Sequence, residues 1–205
     1  MDPNLTPNQS KYSIDYLNQI APQEKKPGLG NKLFLFIIGG GLLLAIIVGI
    51  FALTSNSNGP TQKMQTLAAR LTTLKTISDK AQKNIKSGDL RSSNSSLSVF
   101  LTGANHDIVT PFANNGVDIK KIDKTILAKE AGTDLTNKLE DARLNAVYDR
   151  TYASEMGYQL QTVAALMKDI YTNTKSKSLK DFLVTTDNNL TPIKNQFKDF
   201  TQKSS

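Results

Sequence analysis

The chain has 205 residues, 25 of them basic and 18 acidic, and contains no cysteine. That length holds one ordinary domain with extensions. The missing cysteine excludes disulfides, thiolate zinc sites, cysteine nucleophiles and acylated lipoprotein anchors. Four basic and three acidic residues precede position 33, which leaves a dispersed excess of six positive charges in the rest. Such a surplus favours anionic neighbours, whether lipid headgroups, wall polymers or nucleic acid, and names none of them.

Residues 1–32 carry four prolines and no sustained hydrophobic period, and read as a disordered cytoplasmic tail. Only "YSIDYLNQIA", Tyr12 to Ala21, spaces its apolar residues closely enough for a short docking or membrane-surface helix. Leu33 to Leu53, "LFLFIIGGGLLLAIIVGIFAL", runs 21 residues without a charge. As a helix it would be about 31 Å long, enough for a bilayer core. The "FALTSN" at its end is a poor cleavage site, so an uncleaved transmembrane anchor is expected rather than a removed signal. Lys25, Lys26 and Lys32 precede the span and the next basic residue is Lys63. This bias places the N-terminus inside and the C-terminal domain outside, in a single-pass cell-membrane protein. Gly41, Ala45 and Gly49 recur every four residues, a small-residue stripe suited to a homodimer through the span. Residues 54–60, "TSNSNGP", read as a flexible tether.

From residue 61 to 203 the dominant period is helical. A first helix carries Met64, Leu67, Leu71, Leu74, Ser78, Ala81 and Ile85, a seam of three- and four-residue steps closed by Gly88. Asp89 is placed to cap a second helix through Leu90, Leu97, Leu101, Ile108 and Phe112 to Gly116, although its "RSSNSSLS" start is poor in helix formers. Asp118 introduces a short amphipathic element around Ile119, Ile122, Ile126 and Leu127. The longest pattern runs from Thr133 to Asn173 with the seam Ala142, Ala146, Asp149, Ala153, Met156, Leu160, Val163, Met167 and Ile170. Ser178 with Asp181 forms a capping-box arrangement opening the last helix, whose seam passes unbroken through Pro192 and predicts one continuous, kinked helix. No stretch alternates with period two. The pattern predicts an all-α fold, an antiparallel bundle of four to five helices behind one transmembrane helix.

"YDRTYASEMGYQ", Tyr148 to Gln159, concentrates the chemistry-bearing side chains. Helical spacing sets Asp149 in the seam among Ala, Met, Leu and Val, and sets Tyr148, Tyr152, Glu155 and Gln159 along its flank. Asp149 is then a buried structural acid, expected to pair with Arg70, Arg143 or a tyrosine hydroxyl, since an unpaired buried carboxylate costs several kcal/mol. Tyr148 and Tyr152 are expected at the edge of the core with wet hydroxyls. As a dimetal centre the stretch lacks its ligands. Such bundles use Glu-x-x-His pairs, whereas Glu155 is followed three residues on by Tyr158, and the chain's one histidine is His106, beside Asp107. Lys120, Lys121, Lys124 and Lys129 form the best basic patch, but without the interleaved aromatics that stack nucleic-acid bases.

Tyr148-Asp149-Arg150 with Tyr152 and Met156, the Ser178-Leu179-Lys180-Asp181-Phe182 helix start and Pro192 together resemble a bacterial family. It is the exported ferritin-like helical-bundle domain of unknown function, described as an outer-membrane or periplasmic domain. The good match covers about 60 residues. The resemblance implies a ferritin-like bundle in the cell envelope, with Asp149 part of its framework. Members of that family often carry histidines on the second, long and last helices; here Leu160 and Gln196 stand near the latter two. The combined expectation is a non-enzymatic interaction module without a cofactor, partnered by the bilayer and by an envelope protein or anionic surface polymer. A metal-binding or oxidoreductive ferritin-like domain is the alternative.

Overall fold

The structure is a computed structural model and describes residues 59–203. The tail, the Leu33–Leu53 segment with its Gly41, Ala45 and Gly49 stripe, and residues 54–58 lie outside the described residues. Among the described residues no helix is long and apolar enough to cross a membrane. Seven helical segments and no strands are present there: α1 Pro60–Ala81, α2 Gly88–Asp107, α3 Val109–Ala113, α4 Lys124–Lys129, α5 Thr133–Leu144, α6 Tyr148–Asn173 and α7 Lys177–Lys203. The all-α helical bundle is therefore as expected.

Each helix has a local cause. Pro60 opens α1 at its first position, where a missing N–H costs nothing. The α1 seam buries as the spacing predicts, with Leu67, Leu71, Ser78 and Ala81 fully inaccessible. Gly88 does not close α1, which ends at Ala81; it is the first residue of α2, capped by Ser87 Oγ accepting from Leu90 N at 3.4 Å. The serine-rich start of α2 is helical because its hydroxyls bond back one turn, Ser93 to Asp89 O, Ser95 to Arg91 O and Ser96 to Ser92 O. Burial of Leu90, Leu97 and Leu101 then carries the helix. The expected run to Gly116 is broken at Ile108, because Pro111 has no N–H to offer the Asp107 carbonyl. Gly116, at φ 78°, closes α3. Asp123, not Asp118, caps α4, its Oδ1 accepting from Thr125 N at 2.7 Å.

The pattern from Thr133 to Asn173 is two helices, not one. Ala146 stands at φ 58°, with Val147 N donating to Ala142 O at 3.0 Å and Ala146 N to Arg143 O at 3.4 Å. Those two bonds are the Schellman closure, here with alanine where glycine is usual. Ser176, not Ser178, begins α7: its hydroxyl accepts from Leu179 N, and Asp181 pairs with Lys177 instead of completing a capping box. Pro192 is accommodated inside a continuous α7.

Four long helices form the bundle. α1 and α6 are antiparallel: Lys63 pairs with Asp169 at 2.7 Å near one end, and Asp149 meets the backbone of Lys86 and Ser87 at the other. α2 and α7 are antiparallel as well: just past the end of α2, Phe112 meets Phe182 and Asn115 donates to Ser176 at the start of α7, while Asn94 of α2 and Phe197 of α7 both meet Tyr152. The link from α2 to α6 must therefore travel the length of the bundle. It does so stepwise along α1: Asp123 N to Gln65 Oε1, Glu130 to Arg70, and Gly132 against Thr73 and Ile77. The core lies between the four helices and is built from the predicted seams, including Met156, Leu160, Val163, Leu190 and Phe197.

Candidate functional site

α6 keeps the predicted seam at Ala153 and Met156 but buries the tyrosine flank of the Tyr148–Gln159 stretch as well. Tyr148 and Tyr152 point inward, their rings stacked with centroids 5.9 Å apart and nearly parallel. Tyr152 is wholly buried and meets Phe197 of α7 edge-on. The expectation of wet core-edge hydroxyls is thus wrong, and burial pushes both phenols above their ordinary pKa.

Asp149 is only half-buried and is not in the seam. Its carboxylate accepts from Lys86 N at 3.0 and 3.1 Å and from Ser87 N at 2.7 Å, so it caps the corner where α1 turns into α2. It also sits in the first turn of α6, so two helix starts supply it with positive potential. The partners expected for it are taken: Arg70 forks onto Glu130 at 2.7 and 2.8 Å, and Arg143 onto Glu140. Charge-assisted bonds of this kind contribute about 1.5–3 kcal/mol each before exposure discounts them. Asp149→Ala should therefore lower stability by about 2 kcal/mol, read by denaturant unfolding; an unchanged midpoint would show that the corner holds without it.

The polar group that does occupy the core is Asn94, 1 % exposed. It accepts from Ser78 Oγ at 2.8 Å and from the Tyr152 hydroxyl, and its amide donates to Ser78 O at 3.0 Å and Gln82 Oε1 at 2.6 Å. Three helices are tied by this cluster, with Phe197 closing it from the fourth. All of its groups are neutral. The signal for Asn94 was present in the sequence, since it fills the seam position between Leu90 and Leu97.

The remaining sequence candidates do not converge. Glu155 pairs with Lys138 at 2.5 Å on the surface, and His106 is exposed beside Asp107 at 2.9 Å. Lys120 and Lys121 lie in the turn before α4, Lys124 and Lys129 at its two ends, all exposed. Among the described residues no three His, Cys, Asp or Glu side chains are grouped to hold a metal ion.

Two concavities lie on opposite edges of the bundle. The first is a groove of about 850 Å³ between α2 and α7. Val99, 74 % exposed, and Phe100 line it from α2, and Phe182 and Ile193 from α7; Asp107 and Asp181 stand at one end. The second, about 640 Å³, lies between α1, α6 and the crossover. Neither had a local sequence signal. Set against family models, curated proteins and solved structures, the chain matches none of them.

Proposed function

We propose that this is a single-pass cell-envelope protein whose exterior bundle is a non-enzymatic interaction module. The apolar Leu33–Leu53 segment and the lysines before it support the anchor and its orientation. On this reading the tail ends at 32, the span covers 33–53, and the tether leads to the bundle at 61. The small-residue stripe Gly41, Ala45 and Gly49 supports pairing of two spans.

The observation that carries the binding role is the α2/α7 groove. It is long, apolar along its floor and rimmed by the exposed Val99, the form in which an amphipathic helix is received. Gly103 leaves open space where a side chain would stand, so a partner backbone can approach α2 closely. We assign the groove to a helix of another envelope protein, with a basic residue at the end facing Asp107 and Asp181.

A photo-reactive residue at Val99 in intact cells should capture one envelope protein, and Val99→Asp should reduce association at least tenfold with the melting temperature unchanged. The same probe at Leu144, exposed on the crossover, should not capture it. Equal capture at both positions, or none at Val99, would overturn the groove reading.

One observation favours the metal-binding alternative. Two helical hairpins joined by a single long crossover is the topology of ferritin-like bundles, and it supports the family resemblance too. The side chains that meet at one level of the four long helices are Ser78, Asn94, Tyr152 and Phe197. Hydroxyl, amide and phenyl groups are not the carboxylate and imidazole set that a dimetal centre requires. Donor chemistry at this level therefore speaks against a dimetal centre, and metal analysis of the purified full-length chain tests that directly.

A further inference from the structure

The cavity between α1, the crossover and α6 is a built pocket that the groove reading does not use. Its volume of about 640 Å³ falls in the range of small-ligand sites. Leu74, Ile77 and Leu135, all buried, make an apolar floor. Around it stand planar polar groups from α1, α6 and the crossover. The Arg70–Glu130 fork is fixed by two hydrogen bonds, with both side chains less than a fifth exposed. Nε and Nη2 of Arg70 are engaged, which leaves the in-plane N–H groups of Nη1 on the outer edge to donate.

Two groups from α6 complete the wall, the Tyr158 phenol and the Gln159 carboxamide. Both are partly buried, and among the described residues neither has a hydrogen-bond partner. A phenol can donate and accept once each way, and a carboxamide offers two donors beside an acceptor. Polar groups placed at a wall without internal partners bind whatever fills the space.

Charge narrows the class of ligand. Arg70 cancels Glu130, and Lys129 at the rim is balanced by Asp134, so the pocket favours neither anions nor cations. Neutral, flat hydrogen-bonding groups beside an aromatic ring suit vicinal hydroxyls and the C–H face of a pyranose. We propose that this pocket binds a neutral saccharide of one or two rings, with Gln159 and the Arg70–Glu130 fork on its hydroxyls and Tyr158 against its ring. This site is on the opposite edge of the bundle from the α2/α7 groove and does not rest on the groove having a protein partner.

The test is titration calorimetry on the full-length chain, purified in a zwitterionic detergent because sugar-headed detergents would compete. The probes are glucose, N-acetylglucosamine, cellobiose and N,N′-diacetylchitobiose, each taken to about 10 mM, a concentration that detects millimolar binding. Saturable binding of at least one is expected, weakened about tenfold or more by Gln159→Leu and by Tyr158→Ala, with Val99→Asp binding normally. Thermal melts establish that both pocket variants are folded. Binding of none of the four, binding unaffected by either pocket substitution, or tighter binding of glucose 6-phosphate than of glucose would each overturn the assignment. Loss of partner capture at Val99 with saccharide binding intact would sink the groove reading alone.

Discussion

Asn94→Ala is expected to destabilise the bundle by about 3–5 kcal/mol, most of it through the groups left behind. Asn94 is almost wholly buried and makes four hydrogen bonds, to Ser78 Oγ and O, Gln82 and Tyr152. Truncation removes a modest net gain from those bonds, but it also strands the Ser78 and Tyr152 hydroxyls in a dry core. Each stranded group costs about 1–3 kcal/mol, and the space vacated by the amide adds a cavity term. The same physics predicts a rescue. Ser78→Ala, Asn94→Leu and Tyr152→Phe together leave no polar group to satisfy, so the triple variant should be more stable than Asn94→Ala alone. Guanidinium unfolding of the parent, Asn94→Ala, the three single variants Ser78→Ala, Asn94→Leu and Tyr152→Phe, and the triple variant measures this as a coupling. If Asn94→Ala cost under about 1 kcal/mol, or if the triple loss equalled the summed single losses, the cluster would not act as a unit.

How much of this was legible depended on whether a local signal existed. The α1 and α7 seams were, since the three-four rhythm runs unbroken and burial follows it, from Leu67 to Ile85 and from Leu179 to Phe197. Pro192 was read correctly as interior to one helix. Pro111 was not read as a break, because apolar spacing continues across it while the backbone hydrogen bond does not. The largest error came from Ala146. A helix end in the left-handed region is usually announced by glycine, and an alanine there is silent in the sequence. It therefore reads as a seam position inside one long helix; beyond it the seam holds at Ala153, Met156, Leu160 and Val163, but α6 buries a face wide enough to take in Tyr148 and Tyr152 and leaves Asp149 half-buried. The corner that Asp149 caps was beyond sequence reading, because Lys86 and Ser87 are about sixty positions away. The groove and the pocket arise from how helices and crossover meet, which no periodicity encodes.

The crossover itself hangs on Gly132, and Gly132→Ala should destabilise the bundle by about 2–5 kcal/mol. Two separate causes contribute. Gly132 stands at φ 68°, where an L side chain costs about 1–2 kcal/mol. Its new Cβ would also lie 2.8 Å from Thr73 Cγ2 and 3.0 Å from Ile77 Cδ1. Thr73 is β-branched on a helix and cannot easily swing its methyl aside, so the chain must back away, at about 1–3 kcal/mol for overpacking. Thr73→Ser deletes that methyl, so Gly132→Ala in a Thr73→Ser background should recover the steric part and keep the backbone part. Gly103→Ala is the matching control: its Cβ would meet nothing within 4 Å, and alanine in mid-helix should be neutral or stabilising by up to about 1 kcal/mol. Backing away at Gly132 also moves Glu130, two residues earlier, off Arg70, so saccharide affinity should fall with stability. A Gly132→Ala protein as stable as the parent would mean that the crossover is not pinned to α1 at this point, and the pocket would lose its wall.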